Sequence, residues 1–78
     1  MNTIKLTNFN LTKRETLSGG EYFIIYDQNT AIAYFCFENK LKNDWTYLTA
    51  NWEILSAVEI DFESSEKGNK VTSLTEIF

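Results

Sequence analysis

Two runs of aromatic and β-branched residues, separated by a short polar segment, form the strongest structural signal in this sequence. The runs are residues 21–26 and 31–37, with Asp-Gln-Asn-Thr at positions 27–30 between them. Aromatic and β-branched residues favour strands, and Asp and Asn favour the turn that joins two strands. The pattern therefore predicts a β-hairpin, and the rest of the fold has to be built around it.

The register of this hairpin decides which rings are buried, because successive side chains of a strand point to opposite faces. A three-residue loop with Asn29 in the left-handed region collects the purely apolar rings on one face and the hydroxyl-bearing rings on the other. We prefer this register because a two-residue loop would mix them. It predicts a core face with Phe23, Ile25, Ala33, Phe35 and Phe37, and a second face with Tyr22, Ile24, Tyr26, Ile32, Tyr34 and Cys36.

Other segments also read as strands. Residues 3–11 alternate with a change of phase between Leu6 and Phe9, which predicts a strand bent by a bulge, and the Ser-Gly-Gly sequence at 18–20 predicts a turn after it. Residues 52–63 predict a further strand, since apolar and acidic residues alternate from position 58 onward. A turn at residues 67–69 then leads to a last strand over residues 71–78.

The segment between the two hairpins is ambiguous. Trp45, Leu48, Trp52 and Leu55 recur at helical spacing, whereas the threonines and aromatic residues of the same segment favour a strand. We favour a short helix or an irregular crossing over residues 40–48. The sequence leaves open whether residues 44–58 are helix or strand.

Composition excludes several kinds of site. The chain of 78 residues has no histidine and one cysteine, so serine–histidine triads, cysteine–histidine dyads, histidine metal ligands and thiolate zinc cages are excluded. Its three glycines form no phosphate-binding loop. We therefore predict a single domain over residues 1–78 that acts by binding, not as an enzyme, and that needs neither metal nor cofactor.

The sequence also predicts a cytoplasmic protein without membrane association. Its longest apolar run, residues 31–37, is seven residues long, whereas about 20 residues are needed to cross a bilayer. No apolar region followed by a cleavage site opens the chain. Abundant Asn, Lys, Ile, Thr and Phe are typical of an AT-rich bacterial, phage or mobile-element genome. The oligomeric state stays open, a homodimer included.

The predicted order is a bent strand, a hairpin, a short helical segment and a second hairpin. The residues that carry this order are 20–27 (Gly-Glu-Tyr-Phe-Ile-Ile-Tyr-Asp), the aromatic third strand and 68–74 (Gly-Asn-Lys-Val-Thr-Ser-Leu). The order resembles that of the oligonucleotide/oligosaccharide-binding (OB) barrel. The resemblance implies a mainly β fold, a small five-stranded barrel with a helical insert between strands 3 and 4. It also implies that nucleic acid would lie across the sheet face of the second and third strands.

Aromatic residues of the hairpin are the first candidate site. If Tyr22, Tyr26 and Tyr34 share an outer face, they offer a stacking platform for the bases of a single strand. The alternative is that these rings cover a second small core with their hydroxyls in water. Lys5, Lys13 and Arg14 are candidate phosphate contacts, or else ordinary surface charges that protect edge strands.

An acidic row is the second candidate site. Glu59, Asp61 and Glu63 point the same way along one predicted strand, about 7 Å apart, which is close to the spacing of phosphates along nucleic acid. Such a row could imitate nucleic acid and bind a basic protein partner, as a phage or mobile-element inhibitor does; it could also be an ordinary solvent face. Trp45 and Trp52 are either partner contacts of the same kind or core fillers.

Two hypotheses follow. The net charge of −4 favours the inhibitor or adaptor with an acidic surface. The aromatic hairpin and the strand order favour binding of single-stranded nucleic acid, which we rank first.

Overall fold

A computed structural model describes residues 2–37, 45, 46 and 48–78, which form a six-stranded sheet and one short helix. The helix, α1, comprises the helical residues 45, 46 and 48–51. The mainly β class is confirmed, while residues 40–44 of the predicted helix lie outside the described residues. The strands are β1 (Asn2–Leu6), β2 (Phe9–Glu15), β3 (Glu21–Asp27), β4 (Ile32–Phe37), β5 (Ala57–Ser65) and β6 (Gly68–Ile77).

The strand order in the sheet is β1-β5-β6-β4-β3-β2. All neighbouring pairs are antiparallel except β4 and β6, which are parallel and pair Tyr34 with Asn69 and Phe35 with Lys70. The expected barrel of five strands is wrong in strand number and in closure, because β1 and β2 form the two edges of an open sheet. The physical reason lies at residues 7 and 8, where the chain bends instead of forming a one-residue bulge. One predicted strand therefore becomes two, which pair with β5 and β3.

The hairpin of β3 and β4 is confirmed, but its loop differs from the prediction. Four residues, 28–31, separate the paired Asp27 and Ile32, and the left-handed residue is Ala31 (φ 60°) instead of Asn29. The carboxylate of Asp27 stabilises this longer loop: it accepts hydrogen bonds from the Asn29 backbone N–H (3.0 Å) and the Thr30 hydroxyl (2.7 Å). The Ala31 N–H donates to the Asp27 carbonyl at 2.9 Å. A polar turn thus sets the register of the aromatic strands.

One extra loop residue moves every side chain of β4 to the opposite face. Phe23 and Ile25 are buried as predicted, and Tyr34 and Cys36 are buried beside them. The prediction that Ala33, Phe35 and Phe37 lie in the core is wrong. Phe37 is 47% exposed, whereas Tyr34 is only 2% exposed.

Aromatic contacts join the sheet to the helix and to the second hairpin. The rings of Phe23 and Trp45 stack with their centroids 4.2 Å apart, and the Tyr34 ring meets Phe62 edge-on at 4.8 Å. Trp45 is therefore a core residue and not a partner contact. The buried core cluster consists of Leu6, Phe23, Ile25, Tyr34, Cys36, Trp45, Leu48, Val58, Ile60 and Val71.

The second hairpin also departs from simple alternation. The predicted strand at 52–63 begins only at Ala57, because residues 52–54 form a turn after α1. The register of β5 and β6 shifts between Asp61 and Phe62, which pair with Ser73 and Val71 and leave Thr72 as the extra residue. Val71 is therefore buried while Ser73 is exposed, so the alternation of buried and exposed side chains along β6 is interrupted.

Candidate nucleic-acid interface

An open groove lies on the face of β3 and β4 that points away from the core. Its apolar surface is made by three rings: Tyr22 lies 6.3 Å from Phe35 and 6.3 Å from Phe37 between centroids. We call this the aromatic groove; its volume is about 440 Å³. The residues that line it are Thr16, Tyr22, Phe35, Phe37, Ser65, Lys67, Gly68, Asn69 and Lys70.

The turn between β5 and β6 closes one side of the aromatic groove. Gly68 has φ +115°, a conformation that L side chains rarely adopt, and it packs against the Phe35 ring. The Asn69 side chain then joins three strands: its Nδ2 donates to the Ala33 carbonyl (3.3 Å), and its Oδ1 accepts from the Ser64 hydroxyl (2.7 Å). This wall is therefore fixed by backbone geometry and by hydrogen bonds.

Basic residues surround the rings. Lys70 Nζ lies 5.9 Å from the centroid of the Phe37 ring, within the range of a cation–π interaction. Lys67 lines the groove, and Arg14 stands directly across from Tyr22 in the register of β2 and β3. Within the described part of the chain, three of the five basic residues thus lie on the face of the sheet that carries the groove or in the turn beside it; they are Arg14, Lys67 and Lys70.

Carboxylates lie close to these cations and reduce their field. The ion pair of Lys13 with Glu21, with 2.9 Å between Nζ and Oε1, is not one of these contacts, because both residues share the face of the buried Phe23. Glu63 is the cross-strand neighbour of Lys70, and Glu66 precedes Lys67 in the turn. Paired residues of an antiparallel ladder have Cβ atoms only about 4.5–5.5 Å apart. The positive potential of the groove is therefore moderate, which matters for its affinity for anions.

The structure separates the three tyrosines of the predicted platform. Tyr22 and Tyr26 lie on the outer face, half-buried and exposed respectively, but Tyr34 lies in the core on the opposite face. Burial, together with the nearby Asp27 carboxylate, raises the pKa of Tyr34, so its hydroxyl stays neutral. Tyr34 is removed from the candidate site by the shift of register.

Sequence reasoning missed Phe35 and Phe37 as groove residues, because the three-residue loop placed them in the core. It also missed Lys67 and Lys70, which are more than 40 positions from Tyr22 in the chain. Of the predicted cations, Lys13 and Arg14 lie next to β3, whereas Lys5 is on β1 at the other edge of the sheet, paired with Glu59. The turn at residues 67–69 was the only sequence signal near Lys70. It predicts that β5 and β6 pair with each other, but not that β6 also pairs with β4 beside the rings.

The acidic row is present, but one of its members is engaged. Glu59 and Glu63 are exposed on β5, while both oxygens of Asp61 accept hydroxyl hydrogen bonds, from Thr3 and from Ser73, each 2.6 Å long. These bonds, that of Ser73 first, lower the pKa of Asp61. Asp61 therefore links β1, β5 and β6, and although it keeps its charge, both of its oxygens already accept a hydrogen bond within the protein.

Trp52 lies at a second and separate groove. Its side chain is 51% exposed, and Asn10, Leu11, Thr12 and Thr49 line the same groove. Trp52 is thus available to solvent, in contrast to the buried Trp45.

The described residues contain no group of three His, Cys, Asp or Glu side chains arranged to hold a metal ion. In the same part of the chain, no helix has the length and apolar character needed to cross a membrane. Comparisons with protein-family models, with curated proteins and with solved structures give no match for this chain. The chemistry of the groove itself is therefore the basis for a functional proposal.

Proposed function

We propose that the protein binds single-stranded nucleic acid in the aromatic groove and acts without catalysing a reaction. The observation that carries this proposal is the position of the Lys70 ammonium group over the Phe37 ring, beside Tyr22, in a groove that opens to solvent. A single strand presents both a flat π face and a negative phosphate at every nucleotide. Rings and ammonium groups side by side match that repeating pair.

Base stacking and phosphate contacts would both contribute to the free energy of binding a single strand in this groove. Stacking of one base on an aromatic side chain contributes about 1–3 kcal/mol. Phe37 is 47% exposed, so a base can reach its ring without any change in the core. Each phosphate that a lysine or arginine neutralises releases condensed counterions, which adds affinity at low salt.

The arrangement of strands supports an OB-type interpretation. If β1 and β2 are counted as one bent strand, β3 and β4 become the second and third strands, and α1 follows them. The groove then lies on the face of the second and third strands, between the β2–β3 and β5–β6 connections. OB barrels bind oligonucleotides on that face and with those two connections.

The net charge of −4 is compatible with this proposal because basic residues lie next to the rings. Lys67 and Lys70 line the groove and Arg14 stands across from Tyr22, whereas Glu59 and Asp61 form an acidic side further along β5 from the turn. Long-range repulsion by the acidic side lowers affinity but is screened beyond about 10 Å at moderate salt. Basic-partner binding at the acidic row is the weaker candidate, since Asp61 is held by two hydroxyl groups.

A fluorescence anisotropy titration tests the proposal directly. Labelled single strands of about 16 nucleotides cover the largest site sizes found for one OB fold. We expect binding at low salt, and we expect Phe37→Ala to weaken it by roughly 5–150-fold, which corresponds to one stacked base. Lys70→Gln should reduce the slope of log K against log salt by about 0.7, the value for one phosphate contact on a single strand.

Trp52→Ala is the matched control for Phe37→Ala. Both residues are aromatic and about half exposed, at 51% and 47%, but Trp52 lies at the other groove. The control should leave affinity unchanged. No binding at low salt would rule out the proposal, and equal losses in the two variants would show that the aromatic groove is not the site.

A further inference from the structure

Among the described residues of the aromatic groove, the neutral side chains of Thr16, Ser65 and Asn69 make hydrogen bonds within the protein. Thr16 illustrates this: its hydroxyl accepts from the Gly20 N–H (2.9 Å) and lies 3.3 Å from the Gly20 carbonyl and 3.0 Å from the Ser18 hydroxyl. Both the donor and the acceptor capacity of this group are therefore used in holding the β2–β3 connection.

Ser65 and Asn69, on the opposite side, are engaged in the same way. The Ser65 hydroxyl accepts from the Lys67 N–H (3.2 Å) and donates to the Gly68 carbonyl (3.4 Å). The Asn69 amide donates to the Ala33 carbonyl and accepts from the Ser64 hydroxyl. These two bonds use one of the two amide N–H groups and one of the two oxygen lone pairs of Asn69, and they hold the orientation of its side chain between β4 and β5.

The other described residues of the groove include no amide or guanidinium group. Discrimination between bases depends on donors and acceptors aimed at base edges, such as an amide or guanidinium that bonds two atoms at once. Tyr22, Phe35 and Phe37 instead offer aromatic rings, on which any base can stack. Of these three residues, only Tyr22 has a group that forms hydrogen bonds, its single hydroxyl. Lys67 and Lys70 carry flexible point charges that suit phosphate.

The tilt of the rings leads to the same conclusion. A slot shaped for one particular base needs two parallel rings on either side of it. The Tyr22 ring is inclined by 48° to Phe35 and by 38° to Phe37. Tyr22 therefore forms no parallel-walled slot with either phenylalanine that would select a base by its size.

We propose that the aromatic groove binds single strands without sequence discrimination, an inference that rests on the proposed function above. Its affinity is set by the number of stacked bases and contacted phosphates, and not by their identity or order. The ligand class is thus any unpaired, flexible single strand long enough to span the rings and the lysines.

Scrambled oligonucleotides of identical composition test this inference with the full chain. Several mixed sequences of about 16 nucleotides should bind at low salt with dissociation constants within about fivefold of one another, because each presents the same number of bases and phosphates. Equal composition removes the differences in intrinsic stacking that separate homopolymers.

The two possible failures are distinguishable. If none of the strands binds, the proposed function itself is wrong and the inference falls with it. If the strands bind but their dissociation constants spread over more than fivefold, the proposed function stands and the inference is overturned. In that case, Asn69→Leu would be compared across the same set, and loss of the spread would identify Asn69 as the reader.

Discussion

The ring of Phe35 lies directly against Gly68, where a Cβ atom would stand only 2.8 Å from Phe35 Cε2. Gly68 also has φ +115°, which is accessible to glycine and strained for other residues. This contact joins β4 to β6 beside their parallel pairing and places the Phe35 ring on the wall of the aromatic groove. One residue of the β5–β6 turn thus links the fold to the candidate site.

Gly68→Ala should therefore lower the free energy of unfolding by roughly 2–3 kcal/mol, from backbone strain and displacement of the Phe35 ring. Gly19→Ala is the matched control, because Gly19 also has positive φ (+86°) but nothing lies within 4 Å of its Cβ position. It should cost only about 1 kcal/mol. Urea unfolding measures both values. Equal losses in the two variants would mean that the contact between Gly68 and Phe35 adds nothing.

Phe23 and Phe37 should respond very differently to truncation. Phe23 is buried and stacked on Trp45, so Phe23→Ala should destabilise the protein by about 3–5 kcal/mol. Phe37 is 47% exposed, and Phe37→Ala should change stability by less than about 1 kcal/mol. Thermal denaturation of both variants decides this. If Phe23→Ala does not fold, Phe23→Leu replaces it as a milder truncation. A loss of stability in Phe37→Ala as large as that in Phe23→Ala would contradict the observed register and favour the three-residue loop.

Stability should depend on the ionisation of Asp61. Hydrogen bonds from Ser73 and Thr3 favour the charged carboxylate, so the pKa of Asp61 in the folded state lies below its ordinary value of 3.8. A depressed pKa contributes stability that is present above pH 3.8 and is lost as pH falls through the folded value. Wild type should therefore exceed Asp61→Asn in stability at neutral pH, and the difference should shrink in acid.

Urea unfolding of wild type and Asp61→Asn, at neutral pH and at a series of values below 3.8, measures that difference. The control introduces Asp61→Asn into a Ser73→Ala background, where one hydroxyl donor is already missing. In that background Asp61→Asn should cost less stability at neutral pH than it does in wild type. A difference that stays constant across the acid range would show that the hydroxyl bonds do not favour the charged form.

Removal of the Glu63 charge should strengthen nucleic-acid binding. Glu63 is the cross-strand neighbour of Lys70, so its negative charge lowers the positive potential that a phosphate meets beside that lysine. An exposed pair of this kind contributes about 0.2–1 kcal/mol, so Glu63→Gln should raise affinity by up to roughly fivefold at low salt. Glu59→Gln is the matched control. Glu59 is on the same strand as Glu63, but its cross-strand neighbours are Thr75 and Lys5 and not a lysine of the groove. Anisotropy titrations that show the same gain for both variants would indicate a general charge effect instead of a local one.

Local patterns were sufficient to predict the mainly β class, the hairpin of β3 and β4, and the turn that precedes β6. Each of these depends on residues close together in the chain: β-branched and aromatic runs, an Asp/Asn turn, and Gly68 after Lys67. Such short-range preferences act whatever the rest of the molecule does. The positions of Tyr22 and Tyr26 on the outer face were predicted for the same reason.

Register and strand division depended on contacts that the local pattern does not contain. The Asp27 carboxylate selects a four-residue loop by bonding Asn29 and Thr30, and this one-residue change buries Tyr34 and exposes Phe37. At residues 7 and 8 the predicted strand divides into β1 and β2, because β1 pairs with β5 whereas β2 pairs with β3 at the other end of the sheet.

The candidate site was decided by tertiary structure for the same physical reason. The sequence alone determined that this chain would carry an aromatic hairpin, since strand propensity and turn chemistry are local. Only folding brought Lys67 and Lys70 to the rings, through the parallel pairing of β4 with β6, because that pairing joins residues about 35 positions apart. Backbone hydrogen bonds between distant strands are satisfied only in the assembled sheet, so they select the neighbours of each ring when the whole fold forms.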